Sequence, residues 1–456
     1  MGTDVVVVGG GITGLVAAHR LARAGAAVVQ IEKSDRLGGM VATDIDDGFL
    51  VEAGPDSFVA GKASVLGLAD ELGLAADVIY ARPQSKGTFV WWEGSLHPLP
   101  GGLTSMVPAR VGPLLGSTLL SWRGKARLLA DLALPRARDD SEESLESFVT
   151  RRLGKEFLDR VAAPLIAGIH GAEPGSMSLR AAFPRLLDME SEHRSLILAA
   201  RSMEASSEPS TGLTHFASFK RGMGELVSAL ETTGAGIERR TGVGAAALER
   251  DGDGFRVGLN DGSSLRAQAV VLAVPADAAA PLLVRAAPAA AEALGSISQV
   301  PTAGVTLAYR SDQLTPLGGS GFVVPAVQGR RVSGVSFLSR KWEGRVPDSS
   351  YELVRVFVKG PHDRLAETAV EELRAMIGIE GDPVRSWLRV WPAGLHRYTL
   401  GHMDRVARAE SGVAAVGGLA LAGAAVHGVG LNECVDSGTR AATSVLTSMG
   451  MTTVTA

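Results

Sequence analysis

Near the start of the chain, Gly9-Gly10-Gly11-Ile12-Thr13-Gly14 and the acid Glu32 have the types and spacing to hold a dinucleotide. The first glycine permits a tight turn, the second lets the backbone approach a pyrophosphate, and the third lets a helix pack closely on a strand. A helix starting here offers free N–H groups and partial positive charge to phosphates. The Glu32 carboxylate can accept hydrogen bonds from ribose hydroxyls, and its charge argues against a 2′-phosphate, hence against NADP. The elements that must position these residues are legible. Val5 to Val8 is a β-branched run, as in a strand buried on both faces. Leu15, Ala18, Leu21 and Ala22 recur at helical spacing, with Gly25 at the helix end. Ala27 to Ile31 is a second strand that delivers Glu32. Strand, glycine loop, helix and strand-end acid together make a far stronger signal than glycines alone.

The rest of the chain sets limits. At 456 residues it exceeds what one core usually holds, so two or three lobes are expected. Its 46% hydrophobic and 21% charged residues are a globular composition. With 45 basic and 49 acidic residues the net charge is −4, which gives no basic surface for nucleic acid. A single cysteine, Cys434, excludes an internal disulfide and a cysteine-based zinc site, and agrees with a reducing compartment. No metal site is expected. The N-terminus lacks a basic-then-apolar secretory leader. Val413 to Gly430 is mostly Gly and Ala and contains His427, short of the roughly 20 strongly apolar residues of a membrane span. The expectation is a cytoplasmic protein without stable membrane insertion.

Strands are expected at Phe49 to Glu52 and Thr88 to Trp92, and helix over Val107 to Leu134. Arg138 to Glu143 reads as a charged linker, Ser147 to Ala167 as a helix interrupted at Pro164, and residues 201 to 214 as a surface loop. Asp261-Gly262 marks a hairpin turn between Phe255–Leu259 and Ser264–Ala267. Val270 to Val274 reads as a buried strand. Val305 to Tyr309, Gly321 to Val324, Val332 to Leu338 and Leu353 to Val358 point to a second sheet, and Ala366 to Ile377 to a helix. The tail reads as a strand at Val413 to Val416, a loop from Gly417-Gly418, and a helix over Leu431 to Met449.

Past Glu32 come Arg36-Leu37-Gly38-Gly39 and then Glu52-Ala53-Gly54-Pro55. These resemble the extended motif of the FAD-dependent amine oxidase and protoporphyrinogen oxidase superfamily, in which the first segment lies along FAD and the second nears its isoalloxazine. A finer resemblance, to the bacterial porphyrinogen oxidases, covers nearly the whole chain. It rests on Gly54-Pro55-Asp56-Ser57-Phe58, on Leu99-Pro100 with Met106-Val107-Pro108, and on Ala167 to Gly171 with Ser178-Leu179-Arg180 and Phe183-Pro184. Further on, Trp391-Pro392 with Tyr398, Gly401 and His402, and Ala422-Gly423-Ala424 with Gly428 to Val435, match its remaining segments. The resemblance implies an α/β (α+β, multi-domain) fold: a Rossmann-type FAD-binding domain, a mixed-sheet substrate domain and a helical lobe. The FAD domain is expected from residues 1–45, 216–285 and 386–456, the substrate domain from 46–98, 172–215 and 286–385, and the lobe from 99–171.

The same resemblance implies non-covalent FAD, with Cys434 a small buried residue. The residues expected to hold it are Gly9, Gly10, Gly11, Ile12, Thr13, Gly14, Glu32, Lys33, Arg36, Gly39 and Met40, then Gly54, Pro55, Asp56 and Ser57. Val243, Trp391, Gly423, Val429, Gly430 and Leu431 complete the set. It further implies a six-electron, oxygen-dependent conversion of a porphyrinogen to a porphyrin in heme biosynthesis, two electrons at a time through the flavin, with release of peroxide. The flavin carries the hard chemistry, so an apolar cavity with polar groups at its edge is expected beside it. Ser339-Arg340-Lys341-Trp342, Met106 to Arg110 and Lys62 resemble the subgroup acting on coproporphyrinogen III, although that subgroup commonly has Lys at Arg110. The alternative is protoporphyrinogen IX. Lys62 is the expected catalytic residue. Lys62, Arg110 and Ile169 are the expected substrate contacts, the two cations for propionates. His170 stands where the family often has Tyr and reads as a neutral, hydrogen-bonded histidine. A transient contact with a downstream iron-inserting enzyme stays open. So do two rivals: another flavin amine oxidase or desaturase, and a non-enzymatic relative of the fold such as the Rab-binding escort proteins.

Overall fold

The computed structural model describes residues 3–82, 87–104, 106–137, 141–167, 170–206, 216–314, 317–359 and 363–452. Its first sheet has seven strands. The strand Thr3–Val8 lies between Val28–Ile31 and Ser264–Leu272, parallel to both, and Ile237–Arg240 extends the parallel run beyond Val28–Ile31. Leu419–Leu421 joins parallel to Ser264–Leu272, while Gly254–Leu259 and Ala245–Asp251 fold back antiparallel. Segments far apart in the chain therefore meet in one sheet.

The valine run explains why this sheet is central. Successive side chains of a strand point to opposite faces. Val5 and Val7 pack with Ala17, Leu21, Ala441 and Val445 of the helices Ile12–Arg23 and Leu431–Ser448. Val6 and Val8 pack on the other face, in a cluster that includes Ala279, Ala290, Ala409 and Val413. The two helices of the first face approach closely, because a Cβ at Gly438 would stand 2.5 Å from the Thr13 carbonyl.

A second seven-stranded sheet runs in the order Arg385–His396, Gln299–Arg310, Tyr351–Val358, Val332–Phe337, Gly321–Val323, Phe89–Trp92, Ser95–Pro98. Leu365, Ala369 and Leu373 of the helix Leu365–Ile377 pack on one of its faces. The mixed α/β class is thus as expected from sequence. Short helices between Val111 and Ser206 gather around Phe148, Phe157, Val161 and Leu196. Their polar centre is a fully buried ion pair, Arg152 with Asp131, completed by Ser195 Oγ at 2.6 Å and Ile197 N at 3.1 Å on the second carboxylate oxygen.

Several sequence expectations need correction. Val107 to Leu134 is not one helical stretch. It holds the short strand Val107–Pro108, then Val111–Gly116 and Trp122–Leu129, the latter capped by Ser121 Oγ accepting from Gly124 N. The stretch from Ser147 begins earlier, at Leu145 with Ser144 as its cap, and breaks at Gly154, whose φ is +96°. Pro164 does disturb the helix: the run from Lys155 to Ile166 is continuous but passes through a π segment, Leu158–Ala162, just before the proline, whose missing N–H removes a ladder bond. Val413 is the buried end of a helix, His402–Ala414, and the strand comes after the Gly417-Gly418 turn. Ser264–Leu272 is one strand, not two. Of the supposed loop, residues 201 to 206 end the helix Leu196–Ser206, while 207 to 214 lie outside the described residues. Of the charged linker, 138 to 140 lie outside them too, and Glu142 and Glu143 are engaged by Ser178 and Arg151. Among the described residues no helix is long and apolar enough to cross a membrane.

Candidate functional site

At the carboxyl end of Thr3–Val8 the three glycines differ in what surrounds them. Gly9 has φ +111°, and a Cβ there would stand 2.3 Å from the Ala273 carbonyl oxygen. A Cβ on Gly14 would stand 2.1 Å from the Gly9 carbonyl oxygen. At Gly11 a Cβ would meet nothing within 4 Å, and Gly11 lines a large cavity. Gly9 and Gly14 are therefore fixed by packing, whereas Gly11 is an open cradle at the start of Ile12–Arg23. The first N–H groups of that helix have no intrahelical acceptor and can receive an anion. Glu32 accepts from Gly10 N at 2.6 Å and from Ser34 N and Oγ at 2.8 and 2.7 Å, which fixes its carboxylate at the cavity edge. Lys33 lines the same end, joined by Gly244 and Ala245, which the sequence reading missed.

The cavity continues past Gly39, Met40, Gly54, Pro55, Asp56 and Ser57. Gly54 is packed so tightly that a Cβ would stand 2.0 Å from the Met40 carbonyl oxygen. Trp391 Nε1 donates to Ala53 O at 2.9 Å, and Arg355 donates to Gly54 O. Asp56 is held by Lys341, whose Nζ is 3.2 Å from Oδ1. Burial alone would raise the Asp56 carboxyl, but Lys341, Ser57 and Arg355 outweigh it and hold the group at about 2. On the far wall, the Tyr398 hydroxyl donates to Ala424 O at 2.7 Å and accepts from Gly428 N at 2.8 Å. This pins the loop that carries Gly423, Val429, Gly430 and Leu431, all of which line the cavity. Cys434 also lines it, buried, its thiol pushed up to about 11 by that burial. It is a neutral thiol at pH 7.

Beyond these segments the cavity opens into a chamber with Leu158, Ile166, Val300, Val324 and Leu395 in its walls. His170 and His396 face it, and burial lowers both to about 4, so both are neutral at pH 7. The whole cavity measures about 1610 Å³. Pockets for one small molecule are commonly about 300–1,000 Å³. This one has room for a dinucleotide and a second large ligand end to end. The open Gly11 cradle, the helix N-terminus and Glu32 fit a flavin nucleotide.

Other expected site residues fall elsewhere. Ile12 and Thr13 line the cavity, whereas Gly10, Gly14, Arg36 and Val243 support its edge from behind. Arg36 donates to Gly39 O at 2.7 Å and lies over the Trp391 ring, and Val243 N donates to Glu32 O at 2.9 Å. Trp391 lines the cavity. Neither Lys62 nor Arg110 does. Lys62, 56% exposed, pairs with Glu433, and Arg110, 65% exposed, pairs with Glu204 at 2.7 Å. Ile169 lies outside the described residues. Sequence reasoning missed Arg355, although a single arginine in the apolar run Leu353 to Val358 was a visible anomaly.

Glu52, next to the glycine-lined segment, supplies a pH test. It is 2% exposed and accepts from Thr43 Oγ1 at 2.7 Å and Met223 N at 2.9 Å. Burial raises it from 4.5 to about 7, against those two hydrogen bonds and Arg345. A folded-state value above the unfolded one adds stability that is complete below about 4.5 and lost as pH rises through about 7. Between pH 5 and 8 the wild type should therefore lose about 2.5 kcal/mol relative to Glu52→Gln, which keeps a neutral polar group. Chemical unfolding of both proteins at the two pH values checks this. A constant difference would show that burial does not raise Glu52 above its unfolded value.

The sequence comparisons agree with this geometry. The model of the family described as flavin containing amine oxidoreductase matches residues 12–446. A coproporphyrinogen III oxidase of Propionibacterium freudenreichii subsp. freudenreichii is 36% identical, over 97% of this chain and 90% of its own length. The protoporphyrinogen oxidase of Homo sapiens is 32% identical, over 98% and 99%. A crystal structure from Exiguobacterium sp. 255-15, of a protein assigned as a protoporphyrinogen oxidase, has a TM-score of 0.87 at 29% identity and covers 99% of this chain and all of that one.

Proposed function

We propose that this chain, which belongs to the flavin containing amine oxidoreductase family, is an FAD-dependent, oxygen-using oxidase that converts coproporphyrinogen III to coproporphyrin III. The observation that carries the reading is the continuous cavity of about 1610 Å³, which joins a dinucleotide loop to a chamber with apolar walls and charged groups, with room for a macrocycle beside the dinucleotide. The similarity to the coproporphyrinogen III oxidase that is 36% identical supports the substrate.

Flavin, when bound, supplies the two-electron acceptor that dioxygen then reoxidises. The chain supplies position and surroundings. Gly11 and the helix start at Ile12 take the pyrophosphate, and Glu32 takes the ribose. Arg355 and Tyr398 fix two of the backbone segments that line the cavity, at Gly54 and at Ala424. The apolar part of the wall, with Leu158, Ile166, Val300, Val324 and Leu395, keeps water from the methylene carbons that lose electrons. His170 and His396, neutral at pH 7, give it hydrogen-bonding nitrogens without charge. Lys62 is assigned to support of the Glu433 segment rather than to the chamber.

Supplying coproporphyrinogen III, protoporphyrinogen IX and amines at matched concentrations tests the reading. The expected result is porphyrin from coproporphyrinogen III, faster than from protoporphyrinogen IX, with three dioxygen molecules reduced to three of peroxide per porphyrin. A preference for protoporphyrinogen IX would overturn the substrate. Peroxide from amines alone would overturn the reaction class.

A further inference from the structure

Four cationic side chains face the chamber half of the cavity: Lys155, Arg355, Lys359 and Arg397. Two are committed. Lys155 pairs with Asp159, and Arg355 serves Gly54 and Asp56. The other two have only long hydrogen bonds to backbone carbonyls among the described residues. Lys359 Nζ is 3.4 Å from Arg330 O, and Arg397 Nε is 3.3 Å from Gly171 O, which leaves the terminal guanidinium nitrogens of Arg397 unassigned. Burial also lowers the Lys359 ammonium, against the charges of Glu372 and of Glu173, which lines the same cavity. Both are half-buried on the cavity wall, and a cation there without a carboxylate in ion-pair contact is placed to receive an incoming anion.

Their placement is fixed by the sheet. Arg355, Phe357 and Lys359 line the cavity at the two-residue period of one strand face. Val358 is opposite Ala303, and two strands over Arg397 N donates to Ser298 O. At about 4.8 Å between strands and 3.4 Å per residue, the two backbones stand roughly 16 Å apart. Both side chains are long enough to reach inward over much of that span.

We infer that Lys359 and Arg397 are the anchors for carboxylates of an acidic macrocycle, each holding one propionate at a different edge of the chamber. The inference rests on the proposed function and deepens it by naming what recognises the acidic groups. Arg397 offers a planar bidentate fork and Lys359 a point charge on a flexible stem. Neither was singled out by sequence: Lys359 follows a strand end with no motif around it, and Arg397, although next to the motif residue Tyr398, is not itself one of the residues that carry the resemblance.

The test uses the flavin-loaded enzyme, with coproporphyrin III and its tetramethyl ester as probes in fluorescence titrations. The wild type should bind the free acid at least tenfold more tightly than the ester. Lys359→Met and Arg397→Met should each weaken acid binding roughly tenfold, leave ester binding unchanged, and raise KM for coproporphyrinogen III with little change in kcat. Lys359→Arg should restore most of the loss. If Arg397→Met fails to retain flavin, the Lys359 pair carries the test. Equal affinity of wild type for acid and ester, or unaltered KM in the Lys359→Met enzyme, overturns the inference while porphyrinogen oxidation stands. A wild type that oxidises no porphyrinogen overturns the proposed function as well.

Discussion

Gly11→Asp should yield a folded, colourless protein. A Cβ at this position meets nothing within 4 Å, so the backbone needs no adjustment. The carboxylate would then occupy the cradle at the start of Ile12–Arg23, where the helix end favours negative charge. It would satisfy the free N–H groups itself and repel a pyrophosphate. Steric overlap and like-charge contact together cost several kcal/mol. Taking about 4 kcal/mol, flavin affinity falls about a thousandfold. Gly14→Ala makes the contrast. Its Cβ would stand 2.1 Å from the Gly9 carbonyl oxygen, so strand and helix must separate, and the fold is strained before any ligand arrives. Flavin absorbance and melting temperature distinguish the two, with wild-type apoprotein as reference because bound flavin itself stabilises. Full flavin content in Gly11→Asp would remove the pyrophosphate from this cradle.

That contrast also shows what the sequence made legible. The roles of Gly9, Gly11 and Gly14 follow from spacing, because a strand, a turn and a helix start are built from contiguous residues. The boundary errors have the same root in reverse. Val413 to Val416 looked like a strand, but helix or strand for a short apolar run is decided by what it packs against, here Ala290 and Ala409 in a helical layer. The substrate side was least legible. Lys62 and Arg110 were chosen from local resemblance, and the fold directs both to surface ion pairs. Lys359 and Arg397 gain meaning only when separate strands are laid side by side. The ties that hold the middle of the cavity, Lys341 to Asp56 and Arg355 to Gly54, span 285 and 301 residues. No periodicity encodes such a pair.

The second large effect is expected at one of those ties. Arg355→Met should lower the unfolding free energy by about 3 kcal/mol, the scale for removing one partner of a buried charged contact. Two groups lose their donor or counter-charge. The Gly54 carbonyl is left without the guanidinium, and Asp56 keeps only Lys341 and Ser57. The acid limb of stability should move too. Asp56 is held at about 2 against an ordinary 3.8, so its contribution is complete above 3.8 and lost as pH falls through about 2. Without Arg355 the folded value rises toward 3.8, the window narrows, and the variant gains less stability than the wild type on going from pH 2 to 5. A merely structural void would lower stability equally at both pH values. Arg355→Lys keeps the charge and should recover part of the pH-dependent component even where its shorter reach leaves Gly54 poorly served. Because Gly54 and Pro55 line the cavity between the dinucleotide loop and the chamber, the methionine variant should also show a shifted flavin absorbance band. Wild-type stability at pH 5 together with an unshifted band would mean that Gly54 is held by packing against Met40 alone.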